Sequence, residues 1–226
     1  MRVKLLDCSE NPIFAISQSV GIMMGKEVDG SEEIEKVVLD LRNTGLQGAL
    51  ENAFFVFKVE GVTRAFTHQL VRYRHMSFSQ ESLRFVAKRG QDFQAFTGPS
   101  IAGNRGAWEI WKRGLEDVRG CYEELLEMGV DTQDARGILP TNILTNIIVG
   151  TNFRALVNMA ETRLCYQAQK GEWGEFIRQV KDQIEEEVFR GEVLVKFLEP
   201  ICDRTGRCEF KSLFDRECPV AKERGW

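Results

Sequence analysis

The sequence predicts a single α/β (α+β) domain, with a mixed or antiparallel sheet flanked by long helices. Three observations predict it. Alternating or β-branched runs are interleaved with segments of helical period. One apolar seam, from Trp108 to Leu125, is long enough for about five turns of helix. No internal repeat, low-complexity segment or linker divides the 226 residues, a length one domain can fill. The chain is therefore read as one domain over 1–226, with 200–226 a turn-rich C-terminal extension.

Residues 2–6 alternate and open the chain as a strand. Ser31, with Glu32 and Glu33 in the first turn, starts a helix whose face is Ile34, Val37, Val38 and Leu41, and Gly45 and Gly48 break it. Residues 53–59 are aromatic and β-branched, a strand that Gly61 ends. Val62 to Arg72 then reads as a helix carrying cationic side chains. Residues 86–105, with Gly90, Pro99 and Gly103, form a loop region. In the long helix that follows, Trp108, Trp111, Leu115, Val118, Tyr122 and Leu125 recur at spacings of three and four, a face for core or subunit packing. Asp131 caps a helix through Arg136, Pro140 opens or kinks the next segment, and 152–169 is helical. Gly171 and Gly174 precede a last amphipathic helix marked by Phe176, Val180, Ile184 and Val188, with Glu185, Glu186 and Glu187 on its solvated face.

Hydrophobic residues make up 43% of the chain and charged residues 28%, the balance of an ordinary globular protein. No apolar run reaches the ~18 residues of a membrane span. Met1-Arg2-Val3-Lys4 leads into no secretory core, so a cytoplasmic protein with no membrane partner is expected. Six cysteines, at 8, 121, 165, 202, 208 and 218, are scattered without a CxxC, and Cys202-x5-Cys208-x9-Cys218 fits no common zinc pattern. No metal site is expected, and Cys165 is read as helix packing. With His68 and His75 as its only histidines, the chain has almost no means of building a histidine metal site or a Ser-His-Asp triad. The net charge of −4 argues against nucleic acid as a partner. The distribution is more telling. Between residues 64 and 89 six cations (Arg64, Arg72, Arg74, Arg84, Lys88, Arg89) face one acid, Glu81, which suits a small anionic ligand such as a phosphate.

The richest segment runs from Gln69 to Arg84 and combines arginines, serines and amides. Arginine forks bind phosphate in a bidentate manner, and serine hydroxyls add directional donors. Arg72 and Arg74, two apart, cannot face the same way on a helix and would contact different ligands or different parts of one. Composition alone equally allows a surface helix end with ordinary salt bridges. A second cluster holds Arg136, Asn152, Arg154, Asn158 and Arg163 among Leu139, Ile143, Leu144, Ile147 and Ile148. Arg154 and Asn158 share a helix face. The plain alternative for this cluster is pairing of an arginine with Glu161 or Glu172.

Together these clusters carry a family resemblance. Arg72-Tyr73-Arg74, followed by seven residues and Ser82, is similar to the RHR-x7-S signature of flavin-dependent thymidylate synthases. His68-Gln69-Leu70-Val71 before it and Ser79-Gln80-Glu81-Ser82-Leu83-Arg84-Phe85 after it fit the same pattern. Downstream, Ala135-Arg136-x-x-Leu139-Pro140 and Asn152-x-Arg154-x3-Asn158-x4-Arg163 resemble that family's second block. The resemblance spans 51–169.

The resemblance implies FAD and dUMP bound in a pocket built from more than one subunit of a homotetramer. It assigns Gln69, Arg72, Gln80, Glu81, Ser82, Arg84, Arg136 and Arg163 to dUMP. It assigns Glu51, Arg72, Tyr73, Arg74, Gln80, Asn152, Arg154 and Asn158 to FAD. Arg163 and Ser82 are the implied catalytic pair: Arg163 polarises the uracil ring, and Ser82 positions the nucleotide. The implied reaction moves the methylene of methylenetetrahydrofolate to C5 of dUMP, with reducing equivalents from NADPH passing through FAD. Two departures from the family pattern stand out. Tyr73 occupies the middle of the triplet, where histidine is usual. A GHxSxLEH-like stretch is replaced by Gly45-Leu46-Gln47-Gly48-Ala49-Leu50-Glu51-Asn52, which keeps Glu51 but has Leu46, Gly48 and Asn52 where two histidines and a hydroxyl would stand. Alternative readings are a flavin-dependent C5-hydroxymethylase or related enzyme of another pyrimidine nucleotide, and a nucleotide-binding homologue without turnover.

Overall fold

The computed structural model describes residues 1–167, 171–210 and 218–225. Its main elements, in chain order, are β1 (Arg2–Cys8), α1 (Pro12–Met24), α2 (Ser31–Asp40), β2 (Phe54–Thr63), α3 (Arg64–Leu70), β3 (Met76–Gln80), α4 (Arg105–Glu127), β4 (Leu144–Asn152), α5 (Phe153–Arg163) and α6 (Glu172–Glu187). The four strands form an antiparallel sheet in the order β1-β2-β4-β3, so the expected class of sheet and flanking helices is the one observed. No helix among the described residues is long and apolar enough to cross a membrane.

The chain falls into two compact units: Met1–Lys58, Tyr73–Phe78 and Ile148–Trp226 in the first, Val59–Arg72 and Ser79–Ile147 in the second. In the first, Phe55 and Phe57 of β2 stack with centroids 6.2 Å apart, and Phe153 and Phe197 close the same aromatic core. Strand β1 lies at the sheet edge, and α6 covers it. The Gln179 and Gln183 side chains accept hydrogen bonds from the backbone N–H of Val3 (2.7 Å) and Leu5 (2.9 Å). Edge groups that would otherwise template aggregation are thereby satisfied. In the second unit α4 buries Tyr122 and Leu126 with Phe93, Ala135 and Ile143, and Leu115 and Val118 of the predicted seam pack against them. The other end of that seam is open: Trp108 is 37% exposed and stacks on Trp111.

The structure corrects several expectations. Strand β2 does not end at Gly61 but runs to Thr63, because Gly61 takes a φ of 68° that lets the strand bend and continue. The following helix is accordingly Arg64–Leu70, capped by the Thr63 hydroxyl, and Arg72 lies beyond it. The segment 152–169 is helical only over Phe153–Arg163, and 168–169 lie outside the described residues. Asn152 ends β4 and caps α5, its Oδ1 accepting from Ala155 N at 2.8 Å. Strands β3 and β4 and helix α1 were not predicted. The apolar residues 144–148 belong to β4, where Thr145, Ile147, Val149 and Thr151 are buried on alternate positions.

Candidate functional site

In the first unit, Tyr73, Arg74 and His75 lead into β3, with His75 at a φ of 61°. Because Arg72 to His75 form a turn, the helix geometry assumed for Arg72 and Arg74 does not apply. Arg163 is the last residue of α5. Its Nε donates a 2.8 Å hydrogen bond to the Tyr73 hydroxyl. Its guanidinium carbon lies 4.3 Å from the centroid of the Trp173 ring and 5.6 Å from that of Tyr73. Trp173, in the first turn of α6, is fully buried and meets Tyr73 edge-on at 6.0 Å. Two aromatic faces and one hydroxyl therefore hold the guanidinium in a fixed orientation. No acid among the described residues pairs with it. Of the two acids named as alternative partners, Glu161 bonds Arg204 instead, at 2.6 Å.

A cleft of about 280 Å³ opens beside this cluster, lined by Glu51, Tyr73, Arg74, Asn152, Arg154 and Asn158, with His75 and Ala155. The first six come from three separate stretches of chain, and the fold brings them together. Glu51, Arg74 and Asn158 are exposed, while Arg154 is half-buried, with its Nη1 buried and without a hydrogen-bond partner among the described residues. An unpaired buried N–H is costly unless a ligand oxygen meets it. The cleft thus presents an unsatisfied guanidinium donor, a second exposed arginine and two amides, a donor set suited to phosphate or ring-carbonyl oxygens.

The second unit holds Gln69, Arg72, Gln80, Glu81, Ser82, Arg84 and Arg136. Gln69 lies in α3, and Arg72 is exposed just after it. Gln80 ends β3, and its Nε2 donates to the Thr67 hydroxyl at 2.8 Å. Glu81 is engaged on both oxygens, by Lys88 Nζ at 2.5 Å and by Asn146 Nδ2 at 3.2 Å. The Ser82 hydroxyl accepts from Arg84 N at 3.3 Å, and the exposed Arg84 guanidinium lies 5.7 Å from the Phe85 ring centroid. Arg136 Nε donates to the Gln133 carbonyl at 3.1 Å. Burial, and after it the like charge of Arg136, pushes Arg64 below its ordinary value, while Glu81 opposes the shift. Arg64 thus adds positive charge near Arg136, a setting that suits an anion.

Sequence reasoning missed Trp173, Arg64, Lys88 and His75 as members of these groups. Arg64 and Lys88 were visible only as charge in the cationic stretch. Trp173 carried no signal, because nothing in its neighbourhood reports that α6 turns it toward Arg163.

Residues 4–188 match the Thy1 family model, described as thymidylate synthase complementing protein. The chain is similar to a flavin-dependent thymidylate synthase of Pyrococcus abyssi, 31% identical with 100% of this chain and 96% of the relative covered. It is also similar to one of Geobacter sulfurreducens, 32% identical over 75% of this chain and 76% of the relative. Among solved structures, it resembles that of thymidylate synthase X from Helicobacter pylori with FAD and dUMP. The TM-score is 0.72 at 18% identity, covering 88% of this chain and 99% of that one.

Proposed function

The chain belongs to the flavin-dependent thymidylate synthase family, and on that premise we propose that it binds FAD and dUMP and reductively methylates dUMP to dTMP. One observation carries the reading: Arg163 is held by Tyr73 and Trp173 with no acid among the described residues to neutralise it. A cation fixed before substrate arrives stabilises charge that grows on a pyrimidine oxygen as C5 becomes nucleophilic, and it does so without reorganising. Arg163 is accordingly the residue that polarises the uracil.

The residues present fit FAD. The buried, unpartnered Nη1 of Arg154 asks for an acceptor, and Arg74, Asn152 and Asn158 line the same cleft. Held there, FAD would supply hydride chemistry, with NADPH as the source of reducing equivalents, for reduction of the carbon from methylenetetrahydrofolate to a methyl group. Arg154 and Arg74 would hold the cofactor's oxygens, and the Tyr73 ring would offer it an apolar face. Glu51, Arg72 and Gln80 complete the flavin assignment.

For dUMP, the arginines of the second unit, Arg72, Arg84 and Arg136, take the phosphate, with Arg64 adding charge beside Arg136. Gln69 and Gln80 supply amides. Ser82 positions the nucleotide and is not a nucleophile, because no base is placed to activate it. Glu81, bound to Lys88 and Asn146, acts by keeping this segment in place. The protein works as a homotetramer.

The test is product analysis of the purified protein with dUMP, methylenetetrahydrofolate, NADPH and FAD. dTMP formation, falling by about 10²-fold or more in Arg163→Ala while dUMP binding weakens modestly, is the expected result. 5-Hydroxymethyl-dUMP as sole product, or no uptake of FAD, overturns the proposal.

A further inference from the structure

Two non-glycine residues among those described take a positive φ, Arg190 at 56° and His75 at 61°. The left-handed region costs an L residue free energy, so a side chain stays there only where something else holds it. At Arg190 the structure shows what that is. Its guanidinium pairs with Glu35 at 2.7 Å and donates to the Ser31 carbonyl at 3.0 Å. His75 has no counterpart to these contacts. Among the described residues its side chain makes no hydrogen bond, ion pair or ring contact. Histidine tolerates this region better than most residues, but glycine would occupy it without strain, and nothing in the turn before β3 needs an imidazole.

What the conformation achieves is placement. His75 is exposed and lines the 280 Å³ cleft together with Tyr73 and Arg74. Arg154 of α5, whose buried Nη1 lacks a hydrogen-bond partner among the described residues, lines the same space. The imidazole adds a planar ring and an N–H donor to this lining. Glu51, the one acid of the lining, forms no ion pair with it. A residue that is strained, unbonded and exposed in a cleft with an unsatisfied donor has its partner in the ligand.

Building on the function proposed above, we infer that His75 is a further cofactor-contacting residue: its imidazole donates a hydrogen bond to FAD held in this cleft, and the left-handed backbone at position 75 is maintained for that contact.

The test titrates FAD, followed by flavin fluorescence, into the wild-type chain, His75→Gly and His75→Asn, beside a melting curve of each protein without ligand. Glycine relieves the backbone and removes the ring. The melting temperature should therefore shift by no more than about 3 °C, while the Kd for FAD rises about fivefold or more, as for loss of one hydrogen bond. Asparagine suits the same φ and keeps a donor, so His75→Asn should lose less affinity than His75→Gly. A second measurement needs no variant to fold. The wild-type chain is treated with diethyl pyrocarbonate with and without FAD, and its two histidines are mapped by mass spectrometry, His68, exposed in α3, serving as the reference for reagent access. With FAD at about ten times its Kd, modification of His75 should slow by about tenfold. His75→Gly binding FAD as tightly as wild type, His75→Asn losing as much as His75→Gly, or His75 modified equally fast with FAD bound overturns this inference alone. Wild-type protein that takes up no FAD overturns the function on which it rests as well.

Discussion

The Tyr73 hydroxyl accepts a 2.8 Å hydrogen bond from Nε of Arg163, ninety residues further along the chain. This contact gives a physical reason for the departure from histidine in the middle of the triplet. The phenol accepts from the guanidinium through its hydroxyl and keeps an aromatic ring edge-on to Trp173.

Tyr73→Phe separates these two contributions. The ring is retained and the acceptor lost, so thermal stability should change little. Turnover should fall by about tenfold or more, in keeping with the ~1.5–3 kcal/mol of a hydrogen bond to a charged group. Steady-state kinetics beside a melting curve checks it, and an unchanged kcat would remove the positioning role of Tyr73.

Arg154 presents the reverse case. Its buried Nη1 has no hydrogen-bond partner among the described residues, so this nitrogen adds no bond to the stability of the ligand-free fold. Arg154→Met should leave the ligand-free protein as stable as wild type or slightly more so, while FAD affinity drops at least tenfold. Flavin fluorescence titration and urea denaturation measure the two quantities. A large loss of stability would show that the side chain is structural.

Trp173 is fully buried and carries the Arg163 guanidinium on its face. Trp173→Ala should cost about 3–5 kcal/mol of folding stability through the cavity it leaves. Trp173→Phe should recover most of that stability yet show reduced turnover, because a smaller ring supports the cation less well. Denaturation midpoints and kcat for the two variants separate packing from positioning.

Lys88 and Glu81 form an ion pair whose side chains are 9% and 14% exposed. Breaking a buried pair from one side leaves an uncompensated charge, so Lys88→Met should destabilise by about 3 kcal/mol. The double variant Lys88→Met with Glu81→Leu should recover part of this, the rest being the Asn146 bond that Glu81 also holds. A double-mutant cycle in urea tests the pair, and simple additivity of the single losses would mean that the two side chains do not couple.

Much of the fold was legible where local chemistry is strong. The acid-rich start of α2, the Asp131 cap and the apolar stripe of α6 all formed as read, because capping and helical periodicity act within a few residues. Strand β4 was not read as a strand. Its Thr145, Ile147, Val149 and Thr151 alternate, but the polar members Thr145 and Thr151 obscure a signal usually sought in aliphatic residues. Gly61 misled for a related reason: it was taken as a terminator, although a positive φ inside a strand lets pairing continue past a bend.

The sequence by itself determined which side chains could serve an anion, a flavin or a nucleotide, since residue type and spacing carry that chemistry directly. Only the tertiary structure decided which of them meet. It placed Trp173 under Arg163, gave Glu81 to Lys88 and brought His75 to the cleft that Arg154 lines, because those contacts depend on how helices and strands pack, and packing is a property of surfaces that no local stretch of chain contains.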